Sequence, residues 1–300
     1  GTKGRGKISG ASRIRGRRLF LLLVVLFPLW PFLTTGIQGS TQSGPDTRDI
    51  TVLIEMSRGF AGNAPAALQH AKKAARKRGV NYKTARNFGL LSDELLAPFD
   101  VVIVVSGYGR MVKVPAGGWP PSIRKLGFDA YYEKGEVDAF RRYVRSGGVV
   151  SLLGSAPVWW SRSKRSAGSL GEQPRSWRHM PLNQLASSVN MLFSPRVVKK
   201  AAEEWRVTHS RLLSRRTLQQ LAGKLHNERG GPLLTRSRNG ALIAGPQGTV
   251  CAAPLEFGRG LVVGFNVSGI VNTFRRSEES SWLQTLIEEG YEATSETANR

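Results

Sequence analysis

Cysteine is almost missing from this sequence, with one residue, Cys251, in 300. An intrachain disulfide and a cysteine-based zinc site are both excluded. Cys251 sits in the mostly apolar stretch Thr249-Val-Cys-Ala-Ala, where a small buried hydrophobe is expected. Histidine is scarce too: His70, His179, His209 and His226 are all there is, and no HExxH zinc motif occurs. No metal and no cofactor is expected. Acidic residues are few, 21 Asp and Glu against 44 Lys and Arg, for a formal charge of +23. Such charge draws anionic surfaces, whether phospholipid headgroups, acidic polysaccharide or nucleic acid; its plain alternative is a solvated basic surface. The standard nucleic-acid motifs are missing, and aromatics are not interleaved with the basic runs as a stacking platform needs, which argues against nucleic acid. Internal repeats are also absent. What is present is an ordinary globular share of hydrophobic residues, 40%, which argues against global disorder.

The N-terminus has a distinct character. Residues 1–18 are basic and Gly-rich and contain no acid, and Leu19 to Leu33 (LFLLLVVLFPLWPFL) is apolar throughout. A positive flank, an apolar run and then small residues is the order of an export signal. A spanning helix takes about 20 apolar residues, which this run reaches only by recruiting Thr34 to Ile37, and it carries Pro28 and Pro31. Both a cleaved signal, cut after Gly36, and an uncleaved anchor fit. Either way the basic flank stays cytoplasmic and the following domain lies outside the membrane. The expected organisation is a cytoplasmic flank at 1–18, a signal peptide or membrane anchor at 19–37, a polar linker at 38–48, a folded domain at 49–291 and a tail at 292–300. Without the leader roughly 255 residues remain, enough for one large domain with a full core.

Within that domain, apolar runs and amphipathic stretches alternate. DITVLIEM (49–56), Val80 to Thr84, FDVVIVVS (99–106) and GVVSLL (148–153) read as strands. Ala64 to Arg78 reads as a helix closed by Gly79, with Ala67, Leu68, Ala71 and Ala75 on one face and cations on the other. Ser92 caps a brief helix, and Glu136 to Ser146 is amphipathic with acids first and arginines last. A Ser/Arg-rich loop is expected at 161–178, followed by helices at 182–192, 195–206 and 217–226. Strands are expected at 241–244, 248–255 and 260–266, the last two joined by Gly258-Arg259-Gly260, and Ser277 to Glu289 reads as a closing helix. Strand-helix-strand alternation specifies an α/β fold. Its expected form is a mostly parallel, flavodoxin-like sheet with helices on both faces and a C-terminal β-hairpin, preceded by an apolar N-terminal leader helix.

In such sheets ligands sit at the carboxyl ends of the strands. The candidate loops follow Met56, Ser106, Leu153 and Asn266. Leu153-Gly154-Ser155-Ala156-Pro157 is where a nucleophile elbow would lie. The segment FRRYVRSGGVVSLLGSAPVWW (140–160) resembles the helix, Gly-Gly strand and turn of the class I glutamine amidotransferase-like superfamily in its non-catalytic branches. These are the GIFT-type domain of gliding and intraflagellar-transport proteins, and the accessory domain of TRP-channel-associated factors and enhancin-like peptidases. Pro181-Leu-Asn-Gln-Leu with Asn190-Met-Leu-Phe-Ser is similar to their "LN-x-LL…GI-x-F" segment. Ala252-Ala253 with Phe257-Gly-Arg-Gly-Leu-Val-Val-Gly is similar to their "AA…GxGRVVV" hairpin. The resemblance spans about residues 49–291.

The catalytic members need a Cys at the elbow, a His to activate it and a Glu to orient that His. Here the elbow offers Ser155 or Ala156, and Phe265-Asn266-Val267-Ser268 supplies Asn and Ser where the resemblance implies His-Pro-Glu. The expectation is a catalytically silent module, exported or membrane-tethered, that binds a protein or an anionic surface polymer. One alternative is a hydrolase built on Ser155 with His179, for which Glu55 or Asp129 could orient a histidine; the bland reading has Ser155 capping the next segment and His179 on the surface. The other alternative is an electrostatic binder of anionic lipid, polysaccharide or nucleic acid. The candidate binding residues are Gly154, Ser155, Trp159, Trp160, Asn266 and Ser268. Trp159-Trp160 reads either as core packing or as an aromatic wall suited to sugar or peptide. Asn266-Val267-Ser268 also matches an N-glycosylation sequon, in a strand-end setting that favours a chance match.

Overall fold

The computed structural model describes residues 48–58, 64–105, 131–170, 176–197, 206–207, 230–235, 243–244, 250–267 and 281–298. In chain order the strands are β1 (Arg48–Glu55), β2 (Val80–Asn87), β3 (Val101–Val105), β4 (Val149–Gly154), β5 (Met191–Phe193), β6 (Arg206–Val207), β7 (Leu233–Thr235), β8 (Ile243–Ala244), β9 (Val250–Phe257) and β10 (Gly260–Asn266). The helices are α1 (Ala64–Arg76), α2 (Asp93–Leu96), α3 (Lys134–Arg145), α4 (Ala156–Leu170), α5 (Pro181–Ser188) and α6 (Ser281–Ala298), with a 3-10 turn at Trp177–His179.

One eight-stranded sheet runs in the order β2-β1-β3-β4-β10-β9-β8-β6. Its first five strands are mutually parallel, and β9, β8 and β6 extend it antiparallel. The expected class is therefore the observed one: a flavodoxin-like parallel order with a closing β9–β10 hairpin. Strands β5 and β7 form a separate antiparallel pair. Two cores flank the large sheet. On one face Ile50, Val52, Ile54, Val101, Ile103, Val263 and Phe265 pack against Ala67, Leu68 and Ala71 of α1 and Leu283, Leu286 and Ile287 of α6. On the other, Leu53, Val102, Val104, Val150 and Val262 meet Phe140 and Val144 of α3 and Leu182, Leu185 and Ala186 of α5. This alternation along each parallel strand explains why the strands read as nearly continuous apolar runs: both faces are covered.

Two close approaches set the sheet against α3. A methyl on Gly260 would stand 1.9 Å from the Val144 carbonyl oxygen, and one on Gly148 would stand 2.3 Å from the Tyr143 ring. The strand after α3 and the hairpin strand beside it thus pass under that helix end with no room for a side chain.

The structure corrects several boundaries. The loop expected from Ser161 is helical as far as Leu170. Ala156, Trp159 and Ser163 form its buried stripe at i, i+3 and i+7, a periodicity masked by the Ser/Arg composition. The helix expected at 182–192 stops at Ser188. Asn190 then adopts φ 63, a left-handed conformation that Asn tolerates, and the apolar residues after it become β5. Helix α6 continues through the stretch read as a tail, ending at Ala298. The leader, the segment after Val105 with Asp129, most of the two expected helices at 195–206 and 217–226, Ser268 and the Cys251 side chain lie outside the described residues. Among the described residues no helix is long and apolar enough to cross a membrane.

Candidate functional site

Strand β4 ends at Gly154 and hands the chain to α4 through Ser155 alone. Parallel pairing of β10 with β4 sets Asn266 opposite Gly154, and the Val267 amide donates to the Gly154 carbonyl at 2.9 Å. Asn266 therefore stands beside the turn. Its side chain is fully buried, 0% exposed, and joins three connections. Oδ1 accepts from the Ala156 amide at 2.9 Å, and Nδ2 donates to the carbonyls of Ser194 at 3.0 Å and Pro232 at 2.8 Å. The Ala156 amide is one of the donors that an α-helix leaves without an intrahelical partner, so Asn266 caps α4 from a neighbouring strand. The surrounding packing is tight. The Gly231 amide donates to the Asn266 carbonyl, and a methyl on Gly231 would lie 2.6 Å from the Ser194 oxygen and 2.8 Å from both Asn266 Nδ2 and the Pro157 ring.

Ser155 is 1% exposed. Its carbonyl accepts from the Trp159 amide at 3.0 Å, and its hydroxyl has no hydrogen-bond partner among the described residues. His179 is exposed at the end of the 3-10 turn, and no hydrogen bond among the described residues joins it to Ser155. Trp159 is buried in the core on the α3 and α5 face, while Trp160 is half-buried with the Lys164 ammonium 4.8 Å above its ring. The tryptophan pair thus divides into one core residue and one at the surface. Burial of Asn266 also makes the sequon inaccessible in the folded chain.

A second polar group stands where the parallel order reverses. Glu55 closes β1, next to β3 on one side and β2 on the other, and this is the switch point at which sheets of this order bind ligands. Glu55 is 1% exposed. Oε1 accepts from the Ser57 amide at 2.8 Å, from the Ser57 hydroxyl and, at 3.4 Å, from the Tyr132 hydroxyl; Oε2 accepts from Asn87 Nδ2. Burial pushes this carboxyl up from an ordinary 4.5 to about 7, against the pull of the Ser57 and Asn87 hydrogen bonds and nearby Arg58. Burial likewise drives the Tyr132 hydroxyl well above its usual range, with the Glu55 charge adding to it. The Arg58 guanidinium lies 5.1 Å over the Tyr132 ring, donates to the Tyr131 carbonyl and pairs with buried Glu136 at 2.5 Å. Glu136 also accepts from the Leu91 amide at 3.0 Å and closes the N-terminal turn of α3 by accepting from the Glu133 amide at 2.8 Å. The cluster fastens the chain after β1, the chain after β2 and the approach to α3. Chemically it offers one carboxyl that exchanges a proton near neutrality, held inward by four donors.

Sequence reasoning named Glu55 only as an acid that could orient a histidine; the structure gives it Ser57, Asn87 and Tyr132 instead. The signal was a carboxylate ending an otherwise buried strand, which requires partners from elsewhere. A cavity of about 160 Å³ lies on the opposite face of the β1–β2 pair, lined by residues that include Ile54, Leu68, Thr84 and Arg86.

No family model matches the chain. Nor does any curated protein match it. Solved structures do. The mmIFT52 N-terminal domain is similar at a TM-score of 0.43 and 14% identity, over 81% of this chain and 97% of that one. The cytoplasmic protein STM1381 from Salmonella typhimurium LT2 is similar at 0.44 and 10% identity, over 80% and 99%. A β-galactosidase from Bacillus circulans sp. alkalophilus gives 0.41 and 11% identity, over 80% of this chain and 31% of that one. Likenesses at this level decide neither family nor function.

Proposed function

We propose that this chain is a membrane-tethered, catalytically silent α/β module of the amidotransferase-like kind, which binds or scaffolds a protein or an anionic surface polymer outside the membrane. The observation that carries the reading is the Asn266 amide. At the position where the resemblance implies a catalytic base, this side chain is wholly engaged in holding three backbone groups. A base must reach a nucleophile and accept its proton; this amide reaches a helix N-terminus and two carbonyls. Beside it, the Ser155 hydroxyl lies beneath the surface. The apolar run at 19–33 with its basic flank supports the tether.

The test of silence is exposure of the folded chain to a fluorophosphonate probe, alongside a glutamine-hydrolysis assay. The expected result is no adduct on Ser155 and no ammonia release. A Ser155 adduct that disappears in His179→Ala would overturn the proposal and install the serine hydrolase in its place. The tether is tested separately by alkaline extraction of membranes containing the full chain, which should leave it in the pellet.

A further inference from the structure

We infer that the amino edge of the parallel sheet is a docking face for an anionic phospholipid surface, the same bilayer in which the leader would sit. The inference rests on the tethered module proposed above and adds its orientation and the lipid class it contacts. Because β2, β1, β3, β4 and β10 are parallel, all five begin at one edge, and the crossover helices α1 and α3 both end there. That edge collects Arg76, Lys77 and Arg78 from the end of α1, Arg141 and Arg145 from the end of α3, and Arg259 from the β9–β10 turn, all exposed. Backbone contacts tie these groups together. The Arg259 amide donates to the Arg145 carbonyl at 3.1 Å, the Leu261 amide to Gly148 at 3.2 Å and the Val149 amide to Asp100 at 3.1 Å. The Arg141 guanidinium lies 5.7 Å over the Phe257 ring, beside the same turn. From β2 to β10 the edge is about 19 Å wide at the usual strand spacing.

Among the described residues the acids nearby cancel this charge only at Arg78. Glu288 pairs with Arg78 and Glu292 with Arg48, Asp49 pairs with Lys83, and Asp100 accepts from the Thr51 amide and hydroxyl. Glu256 faces solvent beside the hairpin turn, and Asp49 and Glu292 are exposed as well. Helix dipoles account for a cation in each last turn; they do not account for Lys77 or Arg259, which lie beyond the helix ends.

The position of the linker selects a lipid surface over a soluble polyanion. The Arg48 amide, where the chain enters β1, donates to the Gly79 carbonyl at 3.1 Å, immediately after the basic end of α1. A linker at 38–48 spans no more than about 40 Å even when fully extended. In a tethered chain a linker of that reach keeps the domain beside the bilayer at high effective concentration, and the chain enters the domain at its basic edge. Each cation close to an anionic bilayer raises partition about fivefold.

The test uses the full chain with vesicles of phosphatidylcholine alone and of phosphatidylcholine mixed with phosphatidylglycerol. Flotation on phosphatidylcholine reads the tether. Backbone hydrogen exchange at 76–79, 145–148 and 257–260 reads the edge. The expected result is slower exchange in those three segments only with phosphatidylglycerol, reversed by high salt and by the triple variant Arg76→Glu, Lys77→Glu, Arg259→Glu. That variant should lower edge partition at least about a hundredfold and leave exchange in β3 and β4 unchanged. Flotation on both lipids with equal exchange in both would overturn the docking face and leave the tether standing. Loss of flotation on phosphatidylcholine removes the tether; the face then stands only if phosphatidylglycerol vesicles still bind the chain and the triple variant abolishes that binding. Protection by heparin or nucleic acid without protection by phosphatidylglycerol would assign the edge to a soluble polyanion and overturn the lipid proposal.

Discussion

Replacing Asn266 with Ala removes an acceptor from the buried Ala156 amide and a donor from the part-buried Ser194 carbonyl. The Pro232 carbonyl is less affected, because it also accepts from the Ser194 amide at 2.9 Å. One buried and one part-buried group are thus left bare, the first at about 1–3 kcal/mol and the second at less, so the loss should be about 3 kcal/mol. Domains have only about 5–15 kcal/mol in total, and with a urea m-value of about 2–3 kcal/mol/M the unfolding midpoint should fall by about 1.2 M at unchanged slope. Asn266→Asp separates hydrogen bonding from packing. One carboxylate oxygen keeps the Ala156 amide at the positive end of α4, while the other faces the Ser194 and Pro232 oxygens and repels both. The carboxyl must then protonate to fit, so its pKa is raised in the folded chain. A raised folded pKa gives stability that is present at low pH and lost as pH rises, and the Asp variant should approach the parent at pH 4 and fall away by pH 7. A loss below about 1 kcal/mol for Ala, or an Asp variant with the parent's pH profile, would refute the three-way clamp and reopen this position to catalysis.

Glu55 carries the second prediction. Its carboxyl is at about 7 when folded against 4.5 ordinarily, so its contribution is present below pH 4.5 and lost as pH rises through 7, an amount of about 3 kcal/mol. Glu55→Gln should remove that slope from the pH dependence of urea midpoints, and an unchanged slope would reject Glu55 as the titrating group. Ser155→Ala deletes a buried hydroxyl that has no partner among the described residues; stability should hold or rise by up to about 1 kcal/mol, and a loss beyond that in thermal unfolding would show that the hydroxyl has a partner after all.

The strands of the parallel core were legible because burial on both faces leaves an uninterrupted apolar signature, as in VVIVV and GVVSLL. Local chemistry was legible as well. Ser92 accepts from the Leu95 amide as expected of a cap, and Gly258 takes a positive φ at the hairpin turn. Composition misled where polarity and helix coincide: the stripe of Ala156, Trp159 and Ser163 was hidden among arginines and serines. It misled again where one residue changes the chain's course. Asn190 at φ 63 turns Met191 to Phe193 away from the preceding helix, although the apolar pattern runs on across it. The site was the least readable part, because its contacts are long-range. Asn266 meets Ala156 across 110 positions, and Glu55 meets Asn87 across 32 and Tyr132 across 77. No spacing rule couples such residues; only the strand order does. Glu136 was visible as a helix-start acid, yet its role for Arg58 and the Leu91 amide depends on how three connections meet.

The two edges of the parallel sheet have opposite chemistry, and that contrast bears on how the module works. At the carboxyl edge, the polar groups singled out next to β1, β2, β4 and β10 are turned inward. Glu55, Glu136 and Asn266 each satisfy backbone or side-chain groups of the chain itself. A ligand recruiting any of them must first break bonds that cost about 1–3 kcal/mol apiece to leave unmade, and it gains little by replacing one buried hydrogen bond with another. At the amino edge Arg76, Lys77, Arg141, Arg145 and Arg259 are exposed, and an anionic partner meets them without breaking the Arg78–Glu288 pair. Electrostatic recognition of this kind steers encounter and weakens with salt, whereas recognition through a crevice at Asn266 would respond to Asn266→Asp and little to ionic strength. Salt and the Asn266 substitution therefore act on separate edges. A partner whose affinity falls with salt, and survives Asn266→Asp at a pH where that variant remains folded, must be bound away from the turn after β4.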